Sequence, residues 1–87
     1  MDVKLTLEHL EEIPFEEWLE FIVGIISTDT DFSIKLLNEI SCNHHDESWR
    51  FNAIQLQIEY GLLSKDVREF IFTNERSEEI LSLLSES

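Results

Sequence analysis

Four side chains able to bind a metal ion fall within five consecutive residues: Cys42, His44, His45 and Asp46. A thiolate together with imidazoles is a ligand set that zinc accepts. Structural zinc sites, however, usually take their ligands from two separated pairs, because adjacent side chains cannot easily surround one ion. His9 is the only other histidine of the chain. The pattern therefore predicts a polar loop without a metal or another cofactor, and these four residues are the only metal candidates.

The same segment holds the only candidate for nucleophilic catalysis, Cys42 with His44 or His45. Residues two or three apart in a loop rarely reach the geometry of a nucleophile and its orienting base. A glycine loop that could cradle phosphates is also missing from the sequence, because Gly24 and Gly61 stand alone. The sequence therefore predicts a protein that is not an enzyme.

Carboxylates form the second group of residues with possible chemistry. Nine of the nineteen acidic residues lie in the first 31 positions, where Lys4 is the only Lys or Arg. In a helix, Glu16 and Glu20 would be one turn apart, and like charges at that spacing cost a few tenths of a kcal/mol. General acid and base catalysis needs two carboxylates across a cleft in contrasting environments, which neighbours on one helix do not provide. The pattern indicates a partner-binding face, with a solvated face that maintains solubility as the alternative. The candidate binding residues are Glu8, Glu11, Glu12, Glu16, Glu17, Glu20, Asp29 and Asp31.

Helices are the elements that must position these carboxylates. Pro14 is typical of the start of a helix, since its missing N–H costs nothing there. Apolar residues then recur at spacings of three and four, which predicts a first helix over about 14–27. The polar stretch 27–31 supplies a turn and a cap, and a second amphipathic helix follows over about 32–41.

The second half of the chain repeats this organisation. A third helix is predicted over about 48–60, capped by Asp46 or Ser48, with Gly61 as the left-handed residue after its end. Ser64 can cap a short fourth helix, and Thr73 or Asn74 can cap a fifth. The side chains expected to face inward on these last two helices are Val67, Phe70, Ile71, Ile80, Leu81 and Leu84.

The first thirteen residues leave two interpretations open. Val3, Leu5 and Leu7 alternate with polar residues, which is the period of a strand. Because no second convincing strand could pair with this segment, we favour an acidic N-terminal arm or a short helix over 1–13. The sequence as a whole predicts an all-α fold, a compact bundle of four or five short helices in a single helical domain over 1–87.

Net charge narrows the class of partner. The chain has a formal net charge of −13 at pH 7. A field of one sign steers a small protein toward cationic partners and away from nucleic acid and anionic membranes. The few basic residues are scattered, so direct binding of nucleic acid is not expected. The expected partner is a basic protein.

Composition also suggests a compartment. Cys42 is the only cysteine, which excludes an intramolecular disulfide and favours a reducing environment. The start of the sequence lacks a basic region followed by an apolar stretch, and no apolar run approaches the roughly 20 residues of a membrane-spanning helix. We therefore expect a cytoplasmic protein without a membrane partner, as a monomer or a small homo-oligomer.

One stretch resembles a known family. Residues 17–30, Glu-Trp-Leu-Glu-Phe-Ile-Val-Gly-Ile-Ile-Ser-Thr-Asp-Thr, are similar to the first helix and following turn of the immunity proteins that protect bacteria from their own nuclease colicins. Those proteins are acidic, have four helices and are of about this length. The family's paired tyrosines, which bind the toxin, have no counterpart here, because Tyr60 is isolated. The resemblance therefore implies a type of function and no particular binding residues.

These observations together predict an acidic inhibitor that binds and neutralises a basic protein, with an immunity protein against a bacterial toxin as the first interpretation. Its mechanism would be steric occlusion, in which carboxylates speed the encounter and neighbouring aromatic residues supply the lasting contact. Two alternatives stay open. One is a nucleic-acid mimic that inhibits a DNA-binding nuclease, of the phage anti-restriction or anti-CRISPR type. The other is a small helical adaptor or scaffold subunit.

Overall fold

A computed structural model describes residues 2–87 of the protein. All secondary structure in this part of the chain is helical, which confirms the all-α prediction. The prediction of four or five helices is too low, because residues 2–87 form six. The helices are α1 (Val3–Glu12), α2 (Phe15–Thr28), α3 (Thr30–Asn43), α4 (Glu47–Glu59), α5 (Lys65–Asn74) and α6 (Glu78–Glu86).

The additional helix is α1, in the segment for which a strand was the alternative. The Asp2 carboxylate accepts a hydrogen bond of 3.2 Å from the Leu5 N–H and so caps the helix. Thr6 and Leu10, four residues apart, form the buried face. Leu5 is 64% exposed, so the alternation of apolar and polar residues does not describe which side chains are buried.

The helix predicted over 14–27 is confirmed as α2, one residue further along. Pro14 precedes its first residue, and the Pro14 carbonyl accepts the Trp18 N–H at 3.0 Å. The buried side chains follow the predicted spacing of three and four residues: Trp18, Ile22, Ile25 and Ile26.

The end of α4 confirms the role predicted for Gly61. Its φ angle is +68°, in the left-handed region that favours glycine. The N–H groups of Gly61 and Leu62 donate to the carbonyls of Ile58 and Gln57, at 3.3 and 2.7 Å. This pattern is a Schellman motif, which satisfies the last carbonyls of the helix.

The predicted cap of the last helix is wrong. Thr73 and Asn74 lie inside α5, where their side chains donate to the carbonyls of Glu69 and Phe70, one turn back. The residue that caps α6 is Ser77, whose hydroxyl accepts the Ile80 N–H at 3.4 Å. The Ser64 cap of α5 is confirmed.

The chain divides into two compact units, residues 1–36 and 37–87. The core of the second unit consists of Ile54 from α4, Ile71 from α5, and Ile80 and Leu84 from α6. Phe70 was predicted to face inward but is 44% exposed, because it lies about 100° around α5 from the buried Ile71. None of the helices in residues 2–87 has the length and apolar character needed to cross a bilayer.

Candidate functional site

All eight candidate binding carboxylates lie in the first unit, and all eight side chains are exposed. On α1, the acidic residues Glu8, Glu11 and Glu12 are spaced by three and four residues and therefore share one side of the helix. That side is roughly opposite the buried Thr6 and Leu10. The amphipathic character of α1 thus turns its carboxylates toward solvent.

The same separation holds on α2. Glu16, Glu17 and Glu20 lie within about 100° of one another around the helix axis. The buried residues, which include Trp18 and Ile22, occupy the other side. Glu16 and Glu17 also lie in the first turn, where a negative charge interacts favourably with the helix dipole.

The two sets of carboxylates approach each other where α1 ends and α2 begins. Only Ile13 and Pro14 separate the two helices. Four residues of chain span at most about 14 Å, so the backbone of Glu12 lies within that distance of Glu16. We refer to Glu11, Glu12, Glu16 and Glu17 as the acidic corner.

An aromatic residue, Phe15, lies between Glu12 and Glu16 in the sequence, at the start of α2. Phe15 is 41% exposed, and its ring stacks on that of the buried Trp18, with centroids 5.3 Å apart and planes inclined by 19°. The stack fixes the orientation of the Phe15 ring. The corner therefore combines carboxylates with one firmly held, partly exposed aromatic surface.

The two aspartates of the candidate set differ in their roles. The Asp29 carboxylate accepts the Phe32 N–H at 3.1 Å, while the Asp29 N–H donates to the Ile25 carbonyl at 2.7 Å. Asp29 thus ends α2 and caps the start of α3. Asp31 is exposed in the first turn of α3.

Cys42 has the environment of a structural cysteine. Its half-buried side chain packs against the core of the second unit. Burial, together with the nearby negative charge of Glu39, raises the pKa of the Cys42 thiol above its ordinary value. Because the thiolate is the nucleophilic form, this environment lowers the reactivity of the cysteine at neutral pH.

Cys42 lies in the last turn of α3, so its predicted position in the polar loop is wrong, and the loop before α4 holds His44, His45 and Asp46. The rings of His44 and His45 stack, with centroids 4.5 Å apart. The Nδ1 atom of His44 accepts the Asp46 N–H at 3.0 Å, and its ring stacks on that of Trp49, with centroids 4.2 Å apart. The Asp46 carboxylate accepts the Ser48 N–H at 2.8 Å and caps α4. Over residues 2–87, no three His, Cys, Asp or Glu side chains are arranged to hold a metal ion.

An ion pair that the sequence analysis missed connects this loop to the end of α5. The Arg50 guanidinium donates to both carboxylate oxygens of Glu75, at 2.9 and 3.2 Å, and also to the backbone carbonyls of His44 and His45. Glu75 accepts two further hydrogen bonds from the backbone N–H groups of Arg76 and Ser77. No local pattern could have indicated this pair, since its members are 25 residues apart.

Two opposing effects act on the Glu75 carboxyl, whose side chain is only 5% exposed. Burial raises its pKa, but the hydrogen bonds and the charge of Arg50, with the two backbone donors, outweigh burial. The pKa of Glu75 therefore lies below its ordinary value. The carboxylate is the form that holds this part of the second unit together.

Comparison of the chain with protein-family models, with curated protein sequences and with solved structures finds no match.

Proposed function

We propose that the protein binds a basic protein through the acidic corner and neutralises it, as an immunity protein neutralises a bacterial toxin. The observation that carries the proposal is the arrangement around Phe15. Four exposed carboxylates fall within seven residues of sequence that also contain Phe15, a partly exposed aromatic residue whose ring stacks on a buried tryptophan. A solvated face that served solubility alone would not need a partly exposed aromatic residue beside it.

The carboxylates supply the attraction at long range. Charges of one sign concentrated on a small surface accelerate association with a partner of opposite sign, by about 10 to 1,000 times. This acceleration falls steeply as salt screens the charges. The acidic corner is thus suited to rapid capture of a surface rich in lysine and arginine.

Phe15 supplies the contact at short range. Aromatic residues are common among the few positions that carry most of the binding free energy of an interface. A cationic side chain placed over an exposed aromatic face gains about 0.5–1 kcal/mol, and more when the pair is desolvated. Phe15 and the carboxylates around it therefore fit a lysine or an arginine of the partner.

The experiment begins with capture of the partner from the host cell by the tagged full-length protein, followed by binding kinetics with the purified partner. Glu12, Glu16 and Glu17, three members of the acidic corner, are replaced together by Gln. We expect association to slow by about tenfold at low salt and by much less at 0.5 M NaCl, because the lost attraction is electrostatic. Inhibition of the partner's activity by the unmodified protein is measured in parallel.

A matched control removes the same number of charges elsewhere. Glu78, Glu79 and Glu86 are exposed on α6 in the second unit, and their joint replacement by Gln changes the net charge equally. We expect this control to slow association by less than about twofold. Equal slowing by both triple variants would show that net charge matters and the acidic corner does not.

The nature of the captured partner separates the three classes of function. A toxic basic enzyme whose activity is suppressed supports the proposal. A partner that releases bound DNA on contact with the protein would instead indicate a nucleic-acid mimic. A neutral partner that stays active in the complex would indicate an adaptor subunit and contradict inhibition.

A further inference from the structure

A cleft in the second unit differs in chemical character from the acidic corner of the first unit. It encloses about 210 Å³ between the end of α3 and the end of α5. Within the part of the chain that the structure describes, its wall includes Arg50 and Arg76, with Glu75 as the only carboxylate. The lining therefore carries a net charge of +1 on a chain whose net charge is −13.

The two arginines of the cleft differ in their hydrogen-bond and ion-pair partners. Arg50 is held by Glu75 and two backbone carbonyls, which together accept four of the five N–H groups of its guanidinium. Arg76 is exposed, and within residues 2–87 its guanidinium has no carboxylate within 4 Å. Arg76 is thus the unbalanced positive charge of the lining.

Two further carboxylates, Glu39 and Asp46, belong to neighbouring residues but are not part of the cleft lining. Glu39 does not line the cleft, and its side chain accepts a hydrogen bond of 3.2 Å from the Asn43 amide. The histidine of the wall, His44, accepts the Asp46 N–H at Nδ1.

Part of the wall is apolar. Phe70 presents a ring that is 44% exposed, beside the buried Ile71. A volume of about 210 Å³ is smaller than the roughly 300–1,000 Å³ of pockets for drug-sized ligands. The cleft thus provides room for a small ligand with one apolar group and one negative charge.

We infer that this cleft binds a small carboxylate with an apolar side group, with Arg76 pairing with the carboxylate and Phe70 contacting the apolar group. A single unbalanced guanidinium matches a monoanion, and the planar fork of arginine matches the two oxygens of a carboxylate. Such a carboxylate can belong to a free acylated amino acid or to the end of a peptide chain. The inference does not depend on the function proposed for the acidic corner.

The test is a titration of the full-length, ¹⁵N-labelled protein observed by NMR. The probes are N-acetylphenylalanine, its amide and inorganic phosphate. We expect saturable shifts with N-acetylphenylalanine that are confined to residues 41–44 and 70–76. We expect at least tenfold weaker binding of the amide, which lacks the negative charge. Absent or scattered shifts, equal binding of the amide, or tighter binding of phosphate would overturn the inference.

Two variants with the same change in charge test whether Arg76 binds the carboxylate of the ligand. Arg76→Gln removes the exposed guanidinium, and Lys65→Gln removes an exposed ammonium at the start of α5, outside the cleft. We expect the first to weaken binding at least fivefold and the second less than twofold. Equal effects of the two variants would contradict the assignment of Arg76. Because both side chains are exposed, neither substitution should change the stability of the protein. Urea unfolding curves that match those of the unmodified protein confirm that both variants are folded.

Binding of a peptide shows whether the natural ligand is a free acylated amino acid or the end of a peptide chain. A hexapeptide that ends in phenylalanine is compared with N-acetylphenylalanine and with the same hexapeptide amidated at its C-terminus. Tighter binding of the free-acid peptide indicates a chain end as the ligand, and tighter binding of the small acid indicates a free metabolite. Equal binding of the two peptides would contradict recognition of a carboxylate.

Discussion

Glu75 shows how much of the second unit depends on one side chain. Its carboxylate accepts two hydrogen bonds from the Arg50 guanidinium and two from backbone N–H groups just before α6. Arg50 in turn binds two carbonyls of the loop between α3 and α4. One carboxylate thereby fastens two loops that are distant in the sequence.

Replacement of Glu75 by Gln is expected to destabilise the protein by about 2–3 kcal/mol, since it leaves the charge of a largely buried arginine without its counter-ion. The measurement is urea-induced unfolding at pH 7, followed by circular dichroism. Glu59→Gln, at an exposed position on α4, is the control and should change the free energy of unfolding by less than about 0.5 kcal/mol. An effect of E75Q as small as that of the control would contradict the role of the ion pair.

The stability should also depend on pH through Glu75. The pKa of this carboxyl is lower in the folded protein than in the unfolded chain. The stabilisation is therefore complete above the ordinary glutamate pKa, about 4.3, and is lost as the pH falls from there through the folded value. We expect the difference in unfolding free energy between the unmodified protein and E75Q to shrink between pH 7 and pH 3. A difference that stays constant over this range would contradict the lowered pKa.

At the scale of the elements, the sequence predicted a helix cap correctly where the capping side chain has no competing hydrogen bond within a helix. Asp46 and Ser64 cap α4 and α5 as predicted. Thr73 and Asn74 have suitable side chains, but each bonds to a carbonyl one turn back, and α5 continues to Asn74. Local sequence shows where a helix can begin and does not show which of several neighbouring candidates is used.

The two glycines of the chain provide a matched test of backbone conformation. Gly61 has a φ of +68° after the end of α4, whereas Gly24 is exposed inside α2, and a Cβ atom would have open space at either position. Gly61→Ala should destabilise the protein by roughly 1 kcal/mol, because alanine is strained in the left-handed region. Gly24→Ala should stabilise it by about 0.5–1 kcal/mol, because alanine favours the helix. Changes of the same sign, measured by urea unfolding, would contradict this interpretation.

At the scale of the whole molecule, nineteen acidic residues against six Lys and Arg imply self-repulsion. Glutamates one turn apart on α1 and α2 add unfavourable pairs of a few tenths of a kcal/mol each. Part of this cost falls on the acidic corner, where the carboxylates that would attract a basic partner also repel one another. Binding of a cationic surface would relieve that repulsion.

Added salt should therefore stabilise the free protein. Raising NaCl from 0.01 to 0.2 M shortens the Debye length from about 30 Å to less than 10 Å, and we expect a gain of roughly 0.5–1 kcal/mol, seen as a higher melting temperature. The double variant Glu12→Gln, Glu20→Gln, which removes one member of the repulsive pairs on each helix, should gain less. A melting temperature that is independent of salt in the unmodified protein would contradict significant repulsion.

The sequence by itself determined the helical class, the approximate position of α2 to α5 and the solvent exposure of the eight candidate carboxylates. These follow from short-range causes: apolar spacing, the fixed φ of Pro14, the left-handed preference of Gly61 and the cost of burying a carboxylate. Only the tertiary structure decided that Arg50 meets Glu75 and that Arg76 lines a cleft. Each of these depends on how side chains from different helical turns or distant segments pack, and no spacing within a single helix encodes that packing.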